Sequence, residues 1–156
     1  MTFLQTSTLT LIQKKDILTL WNKVSPVDVS HESMEAFDKY LQSLNDVIYT
    51  LVLDDESCVV GWFADFDRDQ ERWFAMLLDR SIHGKGVGSE LLTRAKTRHI
   101  ALNGWVIDHD KDKTLNGDPY ISPVNFYLKN GFTTMSDVRL ELDHLSCVKM
   151  RWQKGK

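Results

Sequence analysis

Three β-rich runs follow one another with only short polar joints between them: "DVIYTLVLDDES", "CVVGWFADFDRD" and "ERWFAMLLDRS", together spanning positions 46 to 81. Connections this short join strands in antiparallel order. The third run leads directly into "IHGKGVGSE", with glycines at Gly84, Gly86 and Gly88. A helical stripe follows: Val87, Leu91, Leu92 and Ala95. The sequence therefore demands an antiparallel sheet, a glycine-rich loop leaving its last strand, and a helix laid back across it.

The flanks extend this pattern. "STLTLIQ" alternates and predicts an opening strand. "KKDILTLWNKVSP" places Ile17, Leu18, Leu20, Trp21 and Val24 on one helical face and stops near Pro26. In "SHESMEAFDKYLQSLN", Ser30 is the expected N-cap, and Met34, Phe37, Leu41 and Leu44 form the stripe. Beyond the glycine loop, "NGWVID" predicts a strand, with Gly104 as the stop of the preceding helix. "SPVNFYLKNGF" predicts a short helix capped by Ser122, with Pro123 in its first turn and Gly131 as a left-handed C-cap. "VRLELD" and "LSCVKMRW" close the chain as paired strands. The order β-α-α-β-β-β-α-β-α-β-β describes a single α/β domain over residues 1–156, with a mixed, mainly antiparallel sheet flanked by helices.

Composition narrows the function classes. A net charge of −3 lacks the basic footprint of a nucleic-acid binder. "MTFLQTSTLTLIQKKD" has no basic start followed by an apolar core, and no apolar run is long enough to span a bilayer. A cytoplasmic protein with no membrane partner is expected, as a monomer or a homodimer. The two cysteines, Cys58 and Cys147, match no metal or redox spacing and are expected as buried strand thiols.

The loop allows three phosphate-binding patterns. A Walker A loop needs Ser or Thr directly after Gly-Lys, but Lys85 is followed by Gly86. The dinucleotide fingerprint G-x-G-x-x-G does not match G-x-G-x-G, nor is its β-α-β context present. The third pattern, (Q/R)-x-x-G-x-(G/A), fits His83-Gly84-Lys85-Gly86-Val87-Gly88 except at its first position. A second motif, "FYLKNGF" (Phe126 to Phe132), matches aromatic-Tyr-x-x-x-Gly-Phe. With both motifs in order, the chain from about Val47 onward resembles the GNAT superfamily of acyl-CoA-dependent N-acyltransferases.

The resemblance implies acetyl-CoA as donor substrate, a small-molecule or peptide amine as acceptor, and no metal. The loop from His83 through Ser89, including Lys85, Val87 and Gly88, would bind the pyrophosphate with successive amides and the helix N-terminus. Missing side chains at Gly84, Gly86 and Gly88 would let phosphate approach the backbone. Met76, Leu77 and Leu78 would form a backbone rail for pantetheine, beside a strand that splays away. Asn125 and Lys129 could add donor contacts. Tyr127 would assist departure of the thiolate. For the general base, Glu71, Asp108 and His109 are candidates, against the plainer reading of Glu71 as a surface charge. "DHDKDKTLNGDPYIS" has calcium-loop spacing at Asp108, Asp110 and Asp112, but Lys113 and Pro119 stand where glycine and glutamate are needed, which excludes that site. Asn116, Asp118 and Tyr120 are expected near the acceptor pocket. A non-catalytic acyl-CoA-binding or sensor module is the alternative function.

Overall fold

In the computed structural model, which describes residues 1–155, seven strands form one sheet in the order β1-β2-β3-β4-β5-β7-β6. The strands are β1 (Thr2–Thr6), β2 (Asn45–Leu53), β3 (Val59–Arg68), β4 (Glu71–Leu78), β5 (Ala101–Val106), β6 (Thr133–Leu142) and β7 (Leu145–Gln153). The helices are α1 (Leu11–Val24), α2 (Met34–Gln42), α3 (Val87–Arg98) and α4 (Val124–Lys129). Adjacent strands are antiparallel except β4 and β5, which run parallel. The expected element order holds, with short 3-10 turns added at Val27–Val29 and Arg80–Ile82. Among the described residues no helix is long and apolar enough to cross a membrane.

Each face of the sheet carries its own core. Helices α1 and α2 bury Ile17, Phe37 and Leu41 against Trp62, Ala64, Phe66 and Trp73. Helices α3 and α4 bury Leu91, Leu92 and Tyr127 against Phe63, Phe74, Leu102 and Met150. Strand β3 serves both: Trp62, Ala64 and Phe66 face one way and Phe63 the other. A central strand covered on both sides reads as a near-continuous apolar run, as "VVGWFADF" does.

Local expectations need correction at several points. The opening strand is Thr2–Thr6, and Leu11 already starts α1. Thr10 and Gln13 form a reciprocal capping box there, which ends the alternating pattern of "STLTLIQ". Ser33, not Ser30, caps α2 by accepting from the Ala36 amide. Ser30 instead closes the 3-10 turn, donating to the Val27 carbonyl. Gly104 does not end α3; it lies inside β5, where a Cβ would sit 2.9 Å from Met150 Cε and 3.0 Å from Phe74 Cε1. Crowding between the rings and strands selects glycine there, whereas His99 ends the helix. At α4 the cap position falls on Pro123, while the Ser122 hydroxyl accepts from the Val124 amide and donates to the Ile107 carbonyl. Gly131 does take a left-handed conformation, with φ of +87°. Cys147 is buried in β7, but Cys58 is exposed in the β2–β3 connection.

Candidate active site

Strands β4 and β5 pair at one register position, Trp73 with Asn103. The buried Asn103 side chain fixes that point: its Nδ2 donates to the Arg72 carbonyl at 3.0 Å, and its Oδ1 accepts from Arg151. Beyond it the strands diverge. Strand β4 pairs with β3 without a register shift, and the Asp79 amide donates to the Val60 carbonyl on that side. Backbone groups alternate in direction along a strand. Arg72 faces β5, so Phe74, Met76 and Leu78 also aim their N–H and C=O groups toward β5, past the point where pairing ends. A cavity of about 930 Å³ occupies the divergence and is lined by residues of both faces of the sheet.

The glycine loop closes one end of this cavity. Gly84 and Gly86 have φ of +73° and +78°, a region that penalises any Cβ, and nothing lies within 4 Å of the Cβ position at either residue. Gly86 is the N-cap of α3 and provides no side-chain cap, so the amides of the first turn remain available. Gly88 also has a packing role: a Cβ there would stand 2.8 Å from Phe126 Cζ and 3.3 Å from Leu78 Cδ1. His83, Gly84, Gly86, Val87, Gly88 and Ser89 all line the cavity, as do Met76, Leu77 and Leu78. His83 Nε2 lies 3.2 Å from the Leu78 carbonyl oxygen and donates to it, closing the last carbonyl on the open side of β4. Lys85, Asn125 and Lys129 are exposed and outside the lining.

Tyr127 sits on α4 with its ring 5.8 Å from Phe74, 5.7 Å from Phe132 and 5.1 Å from Phe126. Gly131 turns the chain so that the Phe132 amide returns to the Tyr127 carbonyl. The Tyr127 side chain lines the cavity and has no hydrogen-bond partner among the described residues. Burial, then the neighbouring Tyr120, pushes its hydroxyl far above the ordinary phenol range. It therefore holds its proton through the physiological range.

The three candidate bases are not brought to this place. Glu71 accepts from Lys149 at 2.9 Å and from Arg151 at 3.0 Å, so it ties β4 to β7. Asp108 is bound in two places by Arg139, at 2.9 and 3.0 Å, which lowers its pKa below the ordinary carboxylate value. His109 Nδ1 accepts from the Lys111 amide, within its own turn. None of the three lines the cavity, and neither does any other Asp or Glu among the described residues. No cluster of three or more metal-ligating side chains occurs among the described residues. The segment from Asp108 to Ser122 reaches the cavity through Tyr120, Ile121 and Ser122. Asp110 accepts from the Ser122 amide, Asp118 pairs with Arg80, and the Lys113 carbonyl receives the Val27 amide. Asn116 accepts from Thr114 within the segment, and Tyr120 lines the cavity. Burial, then Asp112 and Cys147, pushes the Tyr120 hydroxyl up to about 12.

The half of the cavity under α1 and α2 was not legible in advance. Trp21, Tyr40, Phe66, Arg68, Trp73 and Trp105 line it. The spacing of the five aromatics reads as core, and only the pairing of β3 with β4 sets Phe66 beside Trp73. A buried ionic cluster on the opposite face of the sheet, beneath the end of α3, was likewise unseen. Asp65 is fully buried and accepts from Arg72 Nε and Nη2 at 2.9 and 2.6 Å, from Arg98 at 2.6 Å and from His99 at 2.7 Å. It locks β3, β4 and the end of α3 together.

A sheet that opens beside a glycine loop, over a helix N-terminus and a tyrosine hydroxyl, is the architecture of the acyl-CoA-dependent acyltransferases. Residues 26–154 match the acetyltransferase (GNAT) domain, and the chain belongs to that family of acetyltransferases. No curated protein matches the sequence significantly. Solved structures match the fold across nearly the whole chain. An aminoglycoside 6'-N-acetyltransferase complexed with coenzyme A aligns with a TM-score of 0.71 at 13% identity, covering 98% of this chain and 97% of that one. A phosphinothricin acetyltransferase from Sinorhizobium meliloti, in complex with acetyl-CoA, gives 0.69 at 14% identity, covering 98% and 89%. A spermidine N-acetyltransferase variant from Vibrio cholerae gives 0.65 at 15% identity, covering 98% and 95%.

Proposed function

We propose that this acetyltransferase moves an acetyl group from acetyl-CoA to a primary amine on a small molecule by direct attack. The observation that carries the reading is the shared cavity: the open edge of β4, the uncapped start of α3 and the free Tyr127 hydroxyl all meet there. The donor suits this setting. Its pyrophosphate would take the amides of Gly84 to Ser89, assisted by the helix dipole. Its pantetheine amides would pair with the backbone of Met76 and with the Leu78 N–H, groups that β5 leaves free. The fold neighbours solved with coenzyme A and acetyl-CoA support the same donor. Neighbours named for aminoglycoside, phosphinothricin and spermidine acetylation support a small-molecule amine.

In the reaction the amine nitrogen attacks the thioester carbonyl, the carbon–sulfur bond breaks, and the sulfur leaves as thiolate. Tyr127 keeps its hydroxyl proton in a buried site and hydrogen-bonds or protonates that sulfur as it leaves. The proton lost by the amine passes to solvent or back to the tyrosine. Thiol release measured with acetyl-CoA across a panel of amines tests the reaction. Acetyl-CoA and CoA should raise the melting temperature while ATP and NAD should not. Donor binding without any thiol release would favour the non-catalytic binding module.

A further inference from the structure

Arg68 is the one side chain with a fixed positive charge in the cavity lining, and no carboxylate among the described residues shares that lining. Glu71, its cross-strand neighbour, is held by Lys149 and Arg151. Its guanidinium carbon stands 4.9 Å from the Phe66 ring centroid and 5.7 Å from that of Trp73. Stacking engages the face of the guanidinium and leaves the five in-plane N–H donors for other partners. Among the described residues the Arg68 side chain makes no hydrogen bond and no ion pair, unlike those of Arg72, Arg98, Arg139 and Arg151. The nearby Lys149 is already paired with Glu71, and Asp67 with Arg72. The neighbouring Trp73 indole N–H is buried without a partner as well. The pocket thus ends in a half-buried arginine with unused donors, set in aromatic walls.

We propose that Arg68 is a specificity-determining residue that binds an anionic group on the acceptor, so the substrate class is a primary amine on an apolar or aromatic body bearing a carboxylate. The inference rests on the acetyl-transfer reading for the role of the amine. It does not need that reading for the anion site. A carboxylate offers two oxygens in the plane of the guanidinium, a bidentate match that lysine does not reproduce. The aromatic walls bury the body of the molecule. Polycationic amines meet the opposite arrangement, because no carboxylate among the lining residues balances a second ammonium while Arg68 repels it.

The test titrates CoA-bound protein by calorimetry with para-(aminomethyl)benzoate and ε-aminocaproate. Their counterparts without the carboxylate, para-(aminomethyl)benzamide and hexylamine, and the polycation putrescine are run beside them. At least one carboxylate amine should bind about 10- to 100-fold more tightly than its counterpart. In Arg68→Met that ratio should fall to within about twofold, and Arg68→Lys should restore part of it. A CoA-induced melting shift equal to that of the parent shows that the variants are folded with an intact donor site. An unchanged ratio in Arg68→Met, no binding of either carboxylate amine, or putrescine binding as tightly as both would overturn the proposal. Thiol release separates the two readings. If carboxylate amines bind through Arg68 but release no thiol, acetyl transfer falls and the anion site stands. If thiol release shows no preference for the carboxylate amines in either protein, transfer stands and the role of Arg68 falls.

Discussion

Phe126 occupies the space that a side chain at Gly88 would need: its Cζ lies 2.8 Å from the position of a Cβ there. The third glycine of the loop and the first aromatic of the "FYLKNGF" motif are one packing unit. Replacing Gly88 with Ala should therefore cost about 1–3 kcal/mol of stability through overpacking. Adding Phe126→Leu should recover part of the loss, giving a non-additive double-mutant cycle by urea unfolding. Strict additivity would show that the two motifs do not touch in this way.

Tyr127 is buried among Phe74, Phe126 and Phe132, and its hydroxyl has no partner among the described residues. Removing that oxygen leaves the packing in place. Tyr127→Phe should lower kcat by about 10²- to 10⁴-fold, the range of general acid catalysis. Melting temperature and acetyl-CoA affinity should stay close to the parent values. A kcat within a factor of about three of the parent would remove the hydroxyl from the mechanism.

The glycine loop, the α4 motif and the order of elements along the chain were legible because each rests on local signals: turn glycines, caps and alternation. The local errors lie where a longer-range contact decides. Gly104 reads as a helix stop, yet Phe74 and Met150 are what exclude a side chain there. Glu71 reads as a candidate base or, more plainly, a surface charge at the start of β4, and the sequence does not show that Lys149 and Arg151 reach it from β7, some eighty positions away. Arg68 carried no signal: Phe66 is two residues back on the same strand, but Trp73 reaches it only through the pairing of β3 with β4. A sequence records spacing along the chain; ion pairs and pocket walls depend on which strands become neighbours.

Asp65 shows how costly such a hidden contact is to lose. It is fully buried and accepts from two arginines and a histidine. Asp65→Ala leaves Arg72 and Arg98 without their buried partner. Breaking a buried pair in this way costs about 3–5 kcal/mol. Chemical unfolding should report a loss of that size, with the donor-induced melting shift reduced because β4 loses its anchor. A loss below about 1 kcal/mol would show that the cluster is not holding β3, β4 and α3 together.

Asp79 links α1 to the loop. Its burial opposes ionisation, but Lys23 at 2.8 Å and the Ser81 amide at 2.9 Å prevail, and its pKa falls from 3.8 to about 2. A carboxylate depressed on folding adds stability above its unfolded pKa and loses it as pH falls through the folded one. The contribution is therefore complete above about pH 4 and fades between roughly pH 4 and 2. Asp79→Asn should lower stability at neutral pH and flatten this part of the acid limb. Parallel acid-unfolding curves for parent and variant would refute the link.

The walls of the cavity also predict how rate depends on pH. Glu71 and Asp108 are held in ion pairs outside it, and no carboxylate among the described residues lines it. His83, the one imidazole there, is engaged on the Leu78 carbonyl. The acceptor must then present its free-base form, because no carboxylate of the cavity takes its proton. For an alkyl amine with a pKa of about 10, kcat/KM should climb roughly tenfold per pH unit across the neutral range. Tyr127, pushed up by burial, keeps its proton and adds no falling limb there. Acceptors of lower basicity should shift the midpoint downward by the difference in their own pKa values, and Glu71→Gln should leave it unmoved. A midpoint near 6 or 7 that is the same for every acceptor would place a protein base in the reaction and overturn this assignment.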